Sequence, residues 1–457
     1  MKQSIRLQTI KKNIKTRSHL KYHVKTFGCQ MNEYDSGRVA RILESDGMSK
    51  TNELQDADLL YINTCTIREN ADNKLYGTLG ELKNWKENDL NRKLIVGGCA
   101  SQKDKELVRK KAPWVDVVLG TNNIGNLLGL IEHAESIGPV TEIDNIFDDS
   151  MENFSSINET TSSGMITIQI GCNNACSFCI VPSVRGPEKS RRPLDIYEDA
   201  VELAESGIKE ILLLGQNVNS YGRDLKIENK HSPYFVELLN MISEIEGIER
   251  IRFISPHPKD VNKKLLDTIN TNEKICNHIH LPLQSGSDKI LFDMKRGYTQ
   301  KKYLEKVQII KNTSNTISIT TDVIVGFPGE TDNDFKATLD VINKVKFDSI
   351  FMYKFSARPG TVAEGMNSDF VDKSVIDNRF NILKNVQTII SEKQLSRYVG
   401  TNLEVLIEGP SKNNPMKSSG RSGTNHIVIL NKLVEPNSII NCKISNSTPY
   451  ILYGEVL

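Results

Sequence analysis

The chain has 457 residues, and 58 Lys plus Arg balance 57 Asp plus Glu for a formal net charge of +1. That length holds about two to four domains, and the balance excludes a polybasic nucleic-acid coat or an acidic tail protein, though not a local basic surface for phosphate. Apolar residues at 38% and charged residues at 25% are ordinary for a globular chain, and no apolar run reaches the roughly eighteen residues of a membrane span.

Residues 1–21 carry seven Lys or Arg and no acid, which predicts a flexible basic arm. It lacks an apolar h-region and a small-residue cleavage site, so it does not read as a secretory leader. From 22 to 140 short apolar runs at 21–27, 57–63, 93–98 and 115–120 alternate with helical patterns over 33–44 and on to about Trp85. That rhythm predicts a parallel-sheet α/β domain. Residues 141–164 hold six acids and no base among many Ser, Asn and Thr, the composition of a surface linker.

From 165 to 394 the βα rhythm resumes, with strands expected at 165–170, 210–215, 250–255, 277–283, 317–326 and 348–356. Six such units predict a partial or complete β/α barrel with its chemistry beyond the strand C-termini; an open doubly wound sheet has the same local pattern. A long helix over about 373–397 leads into a C-terminal segment, 395–457. There LEVLIEG, HIVILNK, IINCKI and PYILYGEVL are divided by Gly, Ser, Asn and Pro, the pattern of a small all-β barrel or sandwich.

Eight cysteines are too few to staple so long a chain, so a reducing, cytoplasmic setting is expected. Cys29, Cys65 and Cys99 are 36 and 34 residues apart and each follows one of the first three expected strands. In a parallel sheet those strand ends share one edge, which makes the three neighbours in space. Cys172, Cys176 and Cys179 instead sit on one loop, GCNNACSFCIVPSVRG, with spacing C-x3-C-x2-C. Three thiolates suit either a zinc ion with a fourth ligand from elsewhere or a cubane iron–sulfur cluster with one iron left open. Cys276 and Cys442 stand alone and read as buried thiols. His278 and His280 share one strand face without a third ligand and read as packing or hydrogen-bonding residues.

The 172–179 loop, with Phe178 before its last cysteine, resembles the signature of the radical S-adenosylmethionine (SAM) superfamily. TFGCQMNEYDS at 26–36, NTCTIRENA at 63–71 and GGCASQ at 97–102 extend the likeness to the radical SAM methylthiotransferase family. The resemblance implies three parts: the N-terminal α/β domain, a partial (β/α)6 radical SAM barrel, and a C-terminal all-β TRAM domain. It implies a [4Fe-4S] cluster on Cys172, Cys176 and Cys179 whose open iron binds SAM, and an auxiliary [4Fe-4S] cluster on Cys29, Cys65 and Cys99 that carries the transferred sulfur. Gln30, Met31 and Asn32 resemble the transfer-RNA branch that makes 2-methylthio-N6-isopentenyladenosine beside the anticodon. In that branch two molecules of SAM are used, one to methylate sulfur and one to yield the 5′-deoxyadenosyl radical. A reducing electron-transfer protein and a sulfur source are implied partners, and because one chain carries all the proposed parts a monomer is expected. The competing readings are methylthiolation of an aspartate in a small-subunit ribosomal protein, and a nonenzymatic Fe–S or zinc RNA-binding protein.

Polar loops after successive strands supply the expected cofactor contacts: Gly215, Gln216 and Asn217, then Ser255 and His257, then Gln284, Ser285 and Ser287, then Asp322, Gly326, Pro328 and Gly329. Gly permits close backbone approach and the amides offer hydrogen bonds, though each residue alone has a turn or cap as its ordinary role. Arg185 is the expected partner of the cofactor carboxylate. Lys189, Arg191, Arg192 and Arg296 are candidate phosphate contacts, as are Lys417, Arg421 and His426 in SGRSGTNHIVIL, which resembles the RNA-facing loop of a TRAM domain.

Overall fold

The computed structural model describes residues 17–66, 69–143, 162–225, 234–313 and 316–457. Residues 1–16 of the expected arm and 144–161 of the expected linker lie outside the described residues. The chain divides into two compact units, one of residues 1–156 with 183–186, the other of residues 157–182 with 187–457.

The first unit is built on a six-stranded, all-parallel sheet in the order β2-β1-β3-β4-β5-β6. Its strands are β1 (Lys21–Phe27), β2 (Ser49–Lys50), β3 (Leu59–Thr64), β4 (Lys93–Gly98), β5 (Val117–Leu119) and β6 (Val140–Glu142). The two-residue side-chain period of the central strands splits the core. Leu59, Tyr61 and Ile95 pack on one face with Val39 and Leu43, while Leu60, Ile62, Leu94 and Val96 pack on the other with Leu75 and Trp85. Four of these strands were expected. The other two are edge strands: Ser49–Lys50 is exposed with no apolar signal, and Thr141 and Glu142, expected in the linker, pair with Val118 and Leu119.

In the second unit β7 (Ser163–Thr167), β10 (Glu210–Leu214) and β11 (Arg250–Phe253) form one parallel sheet, and β12 (His278–His280), β13 (Ser318–Val325) and β14 (Ser349–Lys354) another. A parallel bridge between Ile251 and Ile275 joins them. Strand order therefore follows chain order without the reversal of a doubly wound sheet, and β7 and β14 stay unpaired to each other. This is an open (β/α)6 barrel. The cysteine loop hangs from a two-residue antiparallel clasp, β8 (Gln169–Ile170) with β9 (Lys189–Ser190).

The C-terminal segment is a closed five-stranded barrel in the order β15-β16-β17-β19-β18. Its strands are β15 (Asn402–Ser411), β16 (Asn414–Ser422), β17 (Ile427–Leu430), β18 (Ile439–Ser447) and β19 (Ile451–Val456). β16, the strand without a sequence counterpart, reads NPMKSSGRS, and its polar and glycine content hid it. Buried arginines dock this barrel on the rest of the unit. Arg250 pairs with Glu404 at 2.7 Å and donates to the Arg421 carbonyl, while Arg252 bridges Glu210 and the Ser422 carbonyl.

Candidate functional site

In the first unit Phe27, Thr64 and Gly98 are consecutive partners across β1, β3 and β4. Cys65 and Cys99 step off the same edge side by side, with Cys29 two residues beyond β1. Cys29 and Cys65 hydrogen bond through their side chains, and Cys99 is within electrostatic reach of Cys29. The Cys65 contact, with the Arg185 charge and the first N–H groups of the helix Gln30–Ser45, brings the Cys29 thiol down to about 6. Complete burial pushes the Cys99 thiol up, with Arg185 opposing it. Asn32 and Asn63 brace the edge: Asn32 Nδ2 donates to Asn63 Oδ1 at 2.8 Å and Asn63 Nδ2 to the Asn32 carbonyl at 2.8 Å. Gly98 at φ +89° is required there, because a Cβ would stand 2.2 Å from Asn63 Oδ1.

Arg185 corrects a sequence expectation. Residues 183–186 belong to the first unit, and the Arg185 guanidinium is buried there, 2.7 Å from Asp35 and hydrogen-bonded to Cys99. The structure places it beside the scattered cysteine set, its guanidinium taken up by Asp35 and Cys99.

In the second unit the loop cysteines have their own N–H donors. The Asn174 main-chain N–H and its Nδ2 point at Cys172 Sγ at 3.4 and 3.3 Å, and Arg296 Nη1 donates to Cys176 Sγ at 3.2 Å. Burial pushes the Cys172 thiol up and the Cys179 thiol up to about 12. The Ser177 amide donates to the Met294 carbonyl, its hydroxyl to that of Asp293, and Phe178 packs with Ile290, Met294 and Phe327. Among the described residues no three His, Cys, Asp or Glu side chains meet closely enough to share a single metal ion. Soft thiol donors in threes, with N–H groups aimed at sulfur, suit a multi-iron cluster in each set.

Around the barrel mouth three buried polar atoms have no partner among the described residues: Gln169 Oε1, Gln216 Oε1 and His257 Nε2. His257 Nδ1 accepts from the Lys259 amide, so Nε2 carries the ring proton. Burial, with the Arg296 and Lys259 charges, pulls His257 down to about 2 and keeps it neutral. Buried polar atoms left open in this way fit a polar ligand. Asn217 is already used, donating to Asp260 and accepting from the His257 amide. Ser255 and Gln284 occupy left-handed backbone at φ 62° and 65°, strain of the kind held at ligand sites. Ser285 and Ser287 serve locally: Ser285 accepts from the Ser287 amide, and Ser287 caps the helix Asp288–Asp293. Asp322 pairs with His280 at 3.2 Å, while His278 and His280 both bond the Thr320 hydroxyl. Two aromatics escaped the sequence reading. Phe351 and Tyr353, 51% and 39% exposed, stand on β14 opposite Asp322 and Ile324 of β13. Their alternation on an exposed strand was the available signal.

Gly326 has φ +77°, donates its N–H to Glu330 Oε2, and would place a Cβ 2.4 Å from Ile376. Glu330 is in turn pinned by buried Arg379 at 2.8 Å. Gly326→Ala is expected to cost about 1–3 kcal/mol, read by urea unfolding. An unchanged midpoint would contradict this reading of the loop.

The basic candidates divide. Arg191 is buried against Asp199 at 2.8 Å and the Thr167 carbonyl, and Arg296 is buried against Cys176, so both leave the phosphate-contact set. His426 is 9% exposed, with its ring 5.0 Å from Tyr398 and Asp348 at 3.6 Å; it belongs to the docking of the small barrel. Arg192 is exposed and holds Asp195 with two bonds of 2.8 Å. Arg421 lies on β16 rather than on a loop and pairs with Glu408 at 2.9 Å. Lys189 on β9 and Lys417 on β16 are half-buried.

Residues 21–120 match "Uncharacterized protein family UPF0004", residues 166–342 the radical SAM superfamily and residues 396–457 the TRAM domain. The tRNA-2-methylthio-N(6)-dimethylallyladenosine synthase of Corynebacterium jeikeium is 42% identical over 100% of this chain and 90% of its own length. That of Finegoldia magna is 42% identical over 95% and 94%. Among solved structures, the radical SAM methyltransferase TsrM of Kitasatospora setae has a TM-score of 0.54 at 13% identity, over 75% of this chain and 76% of that one. The cobalamin-dependent SAM radical enzyme OxsB has a TM-score of 0.51 at 12% identity, over 87% and 63%; these two share the fold. With its full-length likeness to the synthases and two cysteine sets each supplied with N–H donors, the chain belongs to the radical SAM methylthiotransferase family.

Proposed function

We propose that this protein replaces the C2 hydrogen of N6-isopentenyladenosine, next to a tRNA anticodon, by a methylthio group. The observation that carries the reading is the pairing of two separate three-cysteine sets in a chain aligned end to end with enzymes named for that product. When bound, a [4Fe-4S] cluster on Cys172, Cys176 and Cys179 with SAM supplies the radical that the unactivated C2–H bond requires, and a second cluster on Cys29, Cys65 and Cys99 supplies the sulfur. The chain's own part is to hold and orient. Asn174 and Arg296 hydrogen bond the loop sulfurs, and Asn32, Asn63 and Arg185 do so or fix the backbone at the scattered set. His257 Nε2 and Gln216 Oε1 offer an N–H and an acceptor to polar groups of SAM, and the positive-φ turns at Ser255, Gln284 and Gly326 let backbone pass close to it. Phe351 and Tyr353 offer flat faces on which a base stacks, and Lys417 with the exposed part of Arg421 offers charge to the RNA backbone.

An electron-transfer protein and a sulfur source complete the reaction in the cytoplasm, with the enzyme as a monomer. Among the described residues no helix is long and apolar enough to cross a membrane. The test is anaerobic incubation with isopentenyladenosine-containing RNA and methyl-labelled SAM, followed by nucleoside mass spectrometry. Labelled 2-methylthio-isopentenyladenosine is expected. Label on an aspartate of a small-subunit ribosomal protein, with none on RNA, would overturn the assignment.

A further inference from the structure

Arg296 is 6% exposed, and a guanidinium so far from water requires an anion or several acceptors. Among the described residues its side chain has two polar contacts, Nε to Tyr298 Oη at 3.1 Å and Nη1 to Cys176 Sγ at 3.2 Å. Among the described residues no carboxylate lies within ion-pair distance of it. Tyr298 is a fixed support rather than a counter-charge: its hydroxyl donates to the Pro282 carbonyl at 2.8 Å, and the guanidinium lies 5.4 Å from its ring centre. The Cys176 sulfur is thus, among the described residues, the partner that becomes an anion on binding a metal.

The backbone is shaped to deliver this charge. Lys295 and Gly297, on either side of Arg296, both take left-handed conformations at φ 55° and 72°. For a lysine that geometry carries strain. The Arg296 amide is tied to the Leu291 carbonyl at 3.0 Å. The cysteine loop is tied to the same turn, because Ser177, next to Cys176, bonds the carbonyls of Asp293 and Met294. The sulfur and the guanidinium are held together by backbone on both sides.

We infer that Arg296 is a positioning residue that sets the reduction potential of the cluster on Cys172, Cys176 and Cys179 by donating a charged hydrogen bond to Cys176. The inference rests on the assignment of a cluster to that loop. Taking up one electron from the reductant adds one negative charge at the site. A buried cation bonded to a ligand sulfur favours that state and raises the potential. Arg296 keeps its proton throughout, so one electron enters and no proton moves.

The experiment is an anaerobic redox titration of the reconstituted full-length protein, following by electron paramagnetic resonance the signal that changes on adding SAM, with iron content measured in parallel. Arg296→Gln is expected to keep its iron and to be about tenfold less reduced at a fixed potential, a downward shift of 59 mV for one electron. Arg296→Lys, which keeps the charge without the planar fork, is expected to recover part of that shift. An unchanged potential in Arg296→Gln at full iron content would overturn the inference. So would loss of the cluster from both variants, which would make Arg296 a prop of the loop alone. A wild-type protein with no SAM-responsive cluster would instead overturn the cluster assignment beneath it. Unchanged potentials with weaker RNA binding would return Arg296 to the phosphate contacts.

Discussion

Cys99→Ala is expected to keep reductive cleavage of SAM to 5′-deoxyadenosine while losing methylthio product by more than about 100-fold, beyond the usual effect of an outer-sphere partner. Cys176→Ala is expected to lose both. The two cysteines belong to different compact units and different donor sets. Cys99 stands at a sheet edge with Cys29, Cys65 and Arg185, whereas Cys176 is on the clasped loop and bonded to Arg296. Removing a thiol from one set is therefore expected to leave the other set intact. Liquid chromatography of 5′-deoxyadenosine beside nucleoside mass spectrometry reads both outcomes from one reaction. Full methylthio product from Cys99→Ala would remove the sulfur role from the sheet-edge set.

The largest effect on stability is expected at Arg185. Asp35 Oδ2 and Arg185 are buried and paired at 2.7 Å, and Asp35 Oδ1 has no hydrogen-bond partner among the described residues. Arg185→Ala strands that carboxylate out of water, at a cost of about 3–5 kcal/mol. Both tryptophans, Trp85 and Trp114, lie in the first unit, so their fluorescence during urea unfolding follows the affected part. A second readout follows from sign. Arg185 is one of the groups holding the Cys29 thiol down near 6, after Cys65. Its loss moves that thiol upward, and the pH profile of Cys29 alkylation in the metal-free protein shifts to higher pH. Arg185→Lys keeps the charge and is expected to preserve most of the alkylation profile. A stable Arg185→Ala with an unmoved profile would contradict the described contact.

What the sequence made legible follows from local rules. Cysteines just past three successive apolar runs could be placed at one edge because parallel strands end together, and Cys29, Cys65 and Cys99 stand there. The barrel strands were readable from their apolar runs, but the choice between barrel and open sheet needed the Ile251–Ile275 bridge, a contact no local pattern encodes. β16 was missed because a closed barrel buries Ser418, Gly420 and Ser422 on its inner side without requiring bulky residues. Arginines were the least readable. Arg191, Arg296 and Arg185 look like surface charge in RGPEKSRR and MKRGYT, yet each is turned inward by a partner distant in sequence or by a left-handed turn. A basic run states a charge and says nothing about which way the backbone aims it.

The central claim, two incomplete cysteine sets each holding its own cubane, is tested most directly by iron and sulfide content with Mössbauer spectroscopy of anaerobically reconstituted protein. Wild type would be compared with Cys29, Cys65 and Cys99 replaced together by Ala, and with Cys172, Cys176 and Cys179 replaced together. Wild type is expected to hold twice the iron of either variant, with all of it in [4Fe-4S] form. A variant that keeps the full wild-type iron, or a wild-type protein that takes up zinc in place of iron, would contradict it.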